Sequence, residues 1–157
     1  MIKKLIFKMS NNNLLNNNNN NDNNNDNNNN DNDDNKIKQK IILVTGCAGF
    51  IGSHTVEYLL KRGDLVIGID NINDYYDTKL KRKNIEVLEK YELFHFEEGD
   101  VRDRNFLEQI FEQSNITHIV HLASMAGVRN SLQNPNQYIS NNIDAFITLL
   151  DIIVKNK

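Results

Sequence analysis

Residues 45–53, TGCAGFIGS, join an apolar run to a helical stretch and carry glycines at 46, 49 and 52. No other feature limits the fold as much. IILVT (41–45) is short, β-branched and free of polar alternation, as a parallel strand buried on both faces should be. The chain must then turn sharply into a helix from Ile51 to Lys61. Ile51, Val56, Leu59 and Leu60 fall mostly on one face of it, and Arg62-Gly63 stops it. A strand feeding a helix through a glycine turn begins a βαβ unit.

The alternation continues to the last residue. LVIGID (65–70) is a second apolar run, closed by an aspartate. A charged helix is expected over 80–90, a third strand at LFHF (93–96), and a loop at GDVRD (99–103). Asp103 is placed to cap a helix that carries Leu107, Ile110 and Phe111 on one face. HIVHLA (118–123) reads as a fourth strand. Asn134-Pro135 opens a last helix running to about Val154, with Asn134 as its cap. Repeats of this kind give an α/β fold: a partial doubly wound parallel sheet of four strands in spatial order 3-2-1-4, with helices on both faces. The fourth strand is then an open edge. Phe146, Leu149 and Ile153 on the last helix are expected to be exposed and to favour self-association.

Composition bounds the rest. Residues 11–35 hold only Asn, Asp and two leucines, too little apolar surface to offset the entropy of ordering, so the tract is expected to be disordered. Before it, MIKKLIFKMS is basic and apolar. It lacks the longer apolar core and cleavage site of a secretory signal, and the arginines of a mitochondrial presequence, and reads as a non-native leader. The domain expected to fold is 36–157. The net charge of -3, with no basic stripe, gives no reason to invoke nucleic acid. The single cysteine, Cys47, suits a reducing, cytoplasmic setting. It reads as a small buried residue of the turn. No run is long and apolar enough for a membrane span. His118 and His121 are expected on opposite faces of a strand, and His95 without a neighbouring partner, so no metal is expected.

The glycine turn has two readings, a structural turn or a phosphate cradle. Its place between a buried strand and a helix favours the second. Gly46 permits the tight turn, Gly49 the approach of a pyrophosphate, and Gly52 close packing of helix on sheet, with the anion at the helix N-terminus. Asp70 ends the second strand at about the distance where a carboxylate binds the adenosine ribose. Such a carboxylate accepts from ribose hydroxyls and repels a 2′-phosphate, which favours NAD over NADP. The lesser reading is an aspartate that begins a polar loop. Asp100, near the end of the third strand, could accept from an adenine amino group or serve only as a turn residue. Tyr138 and Asn142 share a helical face.

These motifs together resemble the extended short-chain dehydrogenases/reductases, among the NAD-dependent sugar epimerases and dehydratases with a Rossmann-like fold. The likeness is carried by residues 44–82, by GDVRD (99–103) and by residues 121–152 (HLASMAGVRNSLQNPNQYISNNIDAFITLLDI), and is strongest to the uronate 4-epimerase branch. The resemblance implies NAD as cofactor. It assigns backbone N–H groups of Phe50 and Ile51 to the pyrophosphate, Asn71 to the ribose side beside Asp70, and Val101 to the adenine beside Asp100. It places Leu122, Ala123 and Ser124 along the cofactor and Asn142 near it. Met125, Gly127, Val128 and Arg129 match the segment beside a sugar-nucleotide pocket. Ala145 and Thr148 depart from that family's usual glycine and asparagine, and Asn130 from its tyrosine or proline. The family's fifth strand, its catalytic Tyr-x-x-x-Lys helix and its substrate domain have no counterpart in these residues. No catalytic residue is therefore assigned. The expectation is an NAD-binding N-terminal fragment of a UDP-sugar 4-epimerase-like protein, inactive alone; the alternative is a non-catalytic dinucleotide-binding or interaction module.

Overall fold

The computed structural model describes residues 39–156; the leader and the Asn/Asp tract lie outside them. Four parallel strands pair in the order β3-β2-β1-β4: β1 (Ile41–Thr45), β2 (Leu65–Asp70), β3 (Phe94–Glu98) and β4 (His118–His121). This is the expected order, and β4 is an edge among the described strands. β1 and β2 are central and covered on both faces, which is why both are unbroken apolar runs. β3 runs to Glu98, beyond the expected Phe96, because Ile69 and Asp70 of β2 still have Glu97 and Glu98 as partners. β4 ends at His121; Leu122 N still donates to Thr45 O, and the N–H groups of Leu122 and Ala123 both reach the Thr45 hydroxyl.

Helix α1 (Phe50–Lys61) buries Gly52, Val56, Leu59 and Leu60. Ile51 does not join that face. It is 66% exposed, since Gly52 takes the position against the sheet and turns its neighbour outward. Gly63 ends the helix with φ +92°. Helix α2 (Thr78–Leu88) starts and stops two residues before the expected bounds, because the Asp77 carboxylate accepts from Lys79 N and fixes the start. Asp103 caps α3 (Arg104–Gln113) as expected, accepting from Phe106 N, and Leu107 and Ile110 are buried.

The last region differs most from expectation. A short helix α4 (Val128–Gln133) precedes α5 (Pro135–Ile139), a π-helical segment Ser140–Asp144, and α6 (Ala145–Lys155). Asn134 makes no side-chain cap; its amide donates to Asn130 Oδ1. α6 packs on α3, so Leu149 is buried at 1% exposure and Ile153 is half-buried. The open stripe is instead Ile143, Ile147, Leu150 and Val154, with Phe146 beside it. No described helix is long and apolar enough to cross a membrane.

Candidate functional site

The three glycines of the turn answer to different constraints. Gly46 has φ +71°, and its N–H donates to Ile69 O at 2.7 Å, tying the turn to β2. A Cβ there would lie 2.7 Å from Ala123 N. A Cβ on Gly52 would stand 2.0 Å from Gly46 O, so α1 can seat on the turn only over a glycine. Gly49 differs: its φ is -69°, and its nearest contact for a Cβ would be Gly46 O at 3.4 Å. Among the described residues nothing requires glycine at 49. The open side of that residue faces a cleft, and a bare backbone there lets a ligand come close. The first helical bond of α1 runs from Ser53 N to Gly49 O. The N–H groups of Phe50, Ile51 and Gly52 therefore stand ahead of the helical ladder, as an anion site needs.

Asp70 is buried at the end of β2. Its Oδ2 accepts from Ala48 N at 3.1 Å, and its Oδ1 from Ile72 N at 2.9 Å and Lys81 Nζ at 3.4 Å. The carboxylate thus fastens the glycine turn to the loop after β2, where Ile72 sits at φ +46°, a conformation uncommon for a β-branched residue. One acceptor direction on Oδ2 is left for a ligand. Asp100 lies two residues past β3. Arg102 grips it from Nε at 2.9 Å, from a terminal nitrogen at 2.7 Å and from its backbone N–H at 2.9 Å, and Asn71 Nδ2 adds a bond at 3.0 Å. Its four lone-pair directions are all taken, so an adenine amino group would have to displace one of these donors. The Arg102 bonds hold the Asp100 carboxyl low, at about 2.

The opposite wall is built from β4. Thr45 Oγ1 accepts from Leu122 N and Ala123 N, each at 3.2 Å, and meets His121 Nδ1 at 2.7 Å. His121 also stacks on Phe146. Farther on, Asn142 clamps one backbone unit from both sides: Met125 N donates to its Oδ1 at 2.7 Å and its Nδ2 donates to Met125 O at 2.9 Å. The Tyr75 hydroxyl donates to Ala126 O and stands 2.7 Å from the Tyr138 hydroxyl, which also reaches Ala126 O. Tyr138 therefore shares its face with Asn142 as expected, and both grip the segment after β4. One Tyr-x-x-x-Lys spacing does occur, Tyr75 with Lys79. Tyr75 lies in the turn before α2 and Lys79 in the first turn of α2, so the two do not share a helix face.

Gly46, Gly49, Asp70, Asn71, Asp100, Val101, Leu122, Ala123 and Ser124 line one open cleft above the strand ends. Phe50, Ile51, Gly52 and Asn142 stand outside its lining; Gly52 and Asn142 support it from behind. Sequence reasoning missed Lys81, Asn73, Tyr75 and Tyr76, which line it too. For Lys81 a signal existed: it stands four and seven residues before Ile85 and Leu88, on the buried stripe of α2. Cys47 is fully buried, and burial pushes its thiol up, away from reactivity. His95, expected without a partner, bonds Glu97 Oε1 at 2.7 Å, because residues two apart on a strand share a face. Among the described residues no group of three metal-ligating side chains comes together.

The family model described as GDP-mannose 4,6 dehydratase matches residues 43–157. A UDP-glucuronate 4-epimerase 6 of Arabidopsis thaliana is 51% identical over 111 residues, covering 71% of this chain and 24% of its own length. The chain thus spans about a quarter of the plant relatives it matches. Among solved structures, a UDP-glucuronic acid 4-epimerase from Bacillus cereus, in complex with UDP-glucuronic acid and NAD, has a TM-score of 0.66 at 38% identity. It covers 71% of this chain and 35% of its own. A UDP-glucose 4-epimerase from Bifidobacterium longum, in complex with NAD+ and UDP, has a TM-score of 0.63 at 34% identity, covering 74% of this chain and 34% of its own. With this strand order, glycine turn and cleft, the chain belongs to the GDP-mannose 4,6-dehydratase family, among the NAD-dependent epimerases and dehydratases.

Proposed function

We propose that the cleft binds NAD, and that these residues are the cofactor-binding N-terminal part of a UDP-sugar 4-epimerase, with UDP-glucuronate as the preferred substrate class. The observation that carries the reading is the unforced glycine at 49. It opens onto a cleft where the glycine turn ahead of α1, Asp70 and the segment after β4 converge. Gly46, Gly49 and the N–H groups of Phe50 and Ile51 would take the pyrophosphate, and Asp70 with Asn71 the adenosine ribose. Val101, beside Asp100, would flank the adenine, and Leu122, Ala123 and Ser124 would line the path to the nicotinamide. The uronate preference rests on the plant and bacterial relatives.

A titration of NAD and NADP into the chain tests the reading. NAD should bind more tightly than NADP. Asp70→Asn keeps one acceptor oxygen for the loop but removes the charge. It should weaken NAD about tenfold or more, since a charged hydrogen bond is worth roughly 1.5–3 kcal/mol, and narrow the gap to NADP. Unchanged NAD affinity in that variant would leave Asp70 a loop fastener only.

The same chain should bind NAD without converting UDP-glucuronate. Epimerisation needs a base within about 3 Å of the proton it removes. Tyr75 spends its hydroxyl on Ala126 O and Tyr138. Burial and the Tyr75 hydroxyl raise the Tyr138 phenol, and the residue four positions on is Asn142, where a lysine would be needed to lower it. Chromatography after incubation with NAD should show no UDP-galacturonate. Product above a heat-treated control would contradict this.

A further inference from the structure

Lys81 is a buried cation that the cofactor reading leaves without a role. It sits on the inward stripe of α2 and is 8% exposed. Its ammonium group stands 3.4 Å from Asp70 Oδ1 and donates to Asn73 Oδ1 at 2.9 Å. These two bonds leave a third N–H, and the residue lines the cleft. Hydrogen bonding alone does not explain the lysine. Asp70 already accepts from Ala48 N and Ile72 N, and enclosing an ammonium group costs desolvation that a neutral donor would avoid. What only a cation supplies here is charge, next to the carboxylate expected to meet the adenosine ribose.

We infer that Lys81 is a specificity-determining residue of the dinucleotide site: it sets how strongly the site rejects a phosphate on the ribose 2′ position. The inference rests on the cleft being the dinucleotide site. Asp70 alone would present an uncompensated anion to that phosphate. Paired with Lys81, it presents a near-neutral couple with a spare donor, which still accepts from ribose hydroxyls but repels a phosphate less. The two residues therefore pull the cofactor preference in opposite directions. Loss of the carboxylate charge narrows the preference for NAD, and loss of the ammonium charge widens it.

The test is the ratio of NAD to NADP affinity in the full chain and in three variants. Lys81→Met keeps the aliphatic stem and removes the charge. Lys81→Gln also removes the charge but keeps a donor toward Asn73, and serves if the methionine variant does not fold. Lys81→Arg keeps the charge. NADP affinity should fall roughly tenfold or more relative to NAD in the neutral variants and stay near the original ratio in Lys81→Arg. A lysine that only supported the fold would weaken both dinucleotides together. A ratio unmoved in Lys81→Met or Lys81→Gln, while NAD still binds, overturns this inference alone. No binding of either dinucleotide by the unsubstituted chain overturns the site assignment and this inference with it.

Discussion

Gly52→Ala should destabilise the domain by about 3 kcal/mol and abolish dinucleotide binding with it. The added methyl carbon would stand 2.0 Å from Gly46 O, 2.8 Å from Gly46 C and 3.0 Å from Cys47 Cα. All three are backbone atoms, and none can rotate away. Either α1 lifts from the sheet or the turn opens. Lifting α1 exposes Val56, Leu59 and Leu60. Opening the turn breaks the bonds from Gly46 N and Cys47 N to Ile69 O. A urea titration should show the midpoint falling steeply. A midpoint within error of the unsubstituted chain would mean that the helix does not press on the turn as described.

Thr45→Val should cost about 1–3 kcal/mol, the penalty for leaving a buried polar group without its partner. Valine keeps the shape but deletes the oxygen that accepts from Leu122 N and Ala123 N and meets His121 Nδ1. Leu122 N keeps Thr45 O as an acceptor, so Ala123 N and the imidazole carry most of the loss. Because the hydroxyl oxygen already accepts twice, its own proton goes to Nδ1, and the ring proton of His121 rests on Nε2. Burial lowers the imidazole below its ordinary 6.5. The folded value is the lower one, so this contribution to stability is present above pH 6.5 and is lost as the pH falls through the folded value. Melting followed from pH 8 to 5 should show that decline, and His121→Asn should flatten it. An unchanged acid limb in His121→Asn would place the titrating group elsewhere.

Much of the fold was legible because the signals were local. Buried runs at β1 and β2, a glycine at each end of α1 and an aspartate before α3 each act within a few residues of where they stand. What the sequence did not disclose depended on contacts across the fold. The π-helical segment after α5 brings Asn142 onto the Met125 backbone, and no periodicity announces a clamp between residues 17 apart. Ile51 looked like a core residue by helical spacing alone; Gly52 displaced it. In the site, the glycines and Asp70 were readable because their chemistry needs those residue types at that spacing. Lys81 falls within the charged helix expected over 80–90, and lysine is seldom enclosed; only its partners, Asp70 at the end of β2 and Asn73 in the loop after it, explain its burial. The occupancy of Asp100 by Arg102 and Asn71 was equally invisible, since a carboxylate's free lone pairs are counted only in three dimensions.

The most direct test of the dinucleotide cleft is NAD binding by Gly49→Ala beside the unsubstituted chain, with thermal melting of both. Alanine fits at 49 by every internal contact, with φ -69° and 3.4 Å to Gly46 O, so stability should move by no more than about 1 kcal/mol for the changed helix cap. The unsubstituted chain should bind NAD saturably. Gly49→Ala should lose that binding tenfold or more, an estimate of roughly one charged hydrogen-bonded contact displaced from the phosphates. Equal NAD affinity in the two chains, at equal stability, would contradict a pyrophosphate seated on the glycine turn.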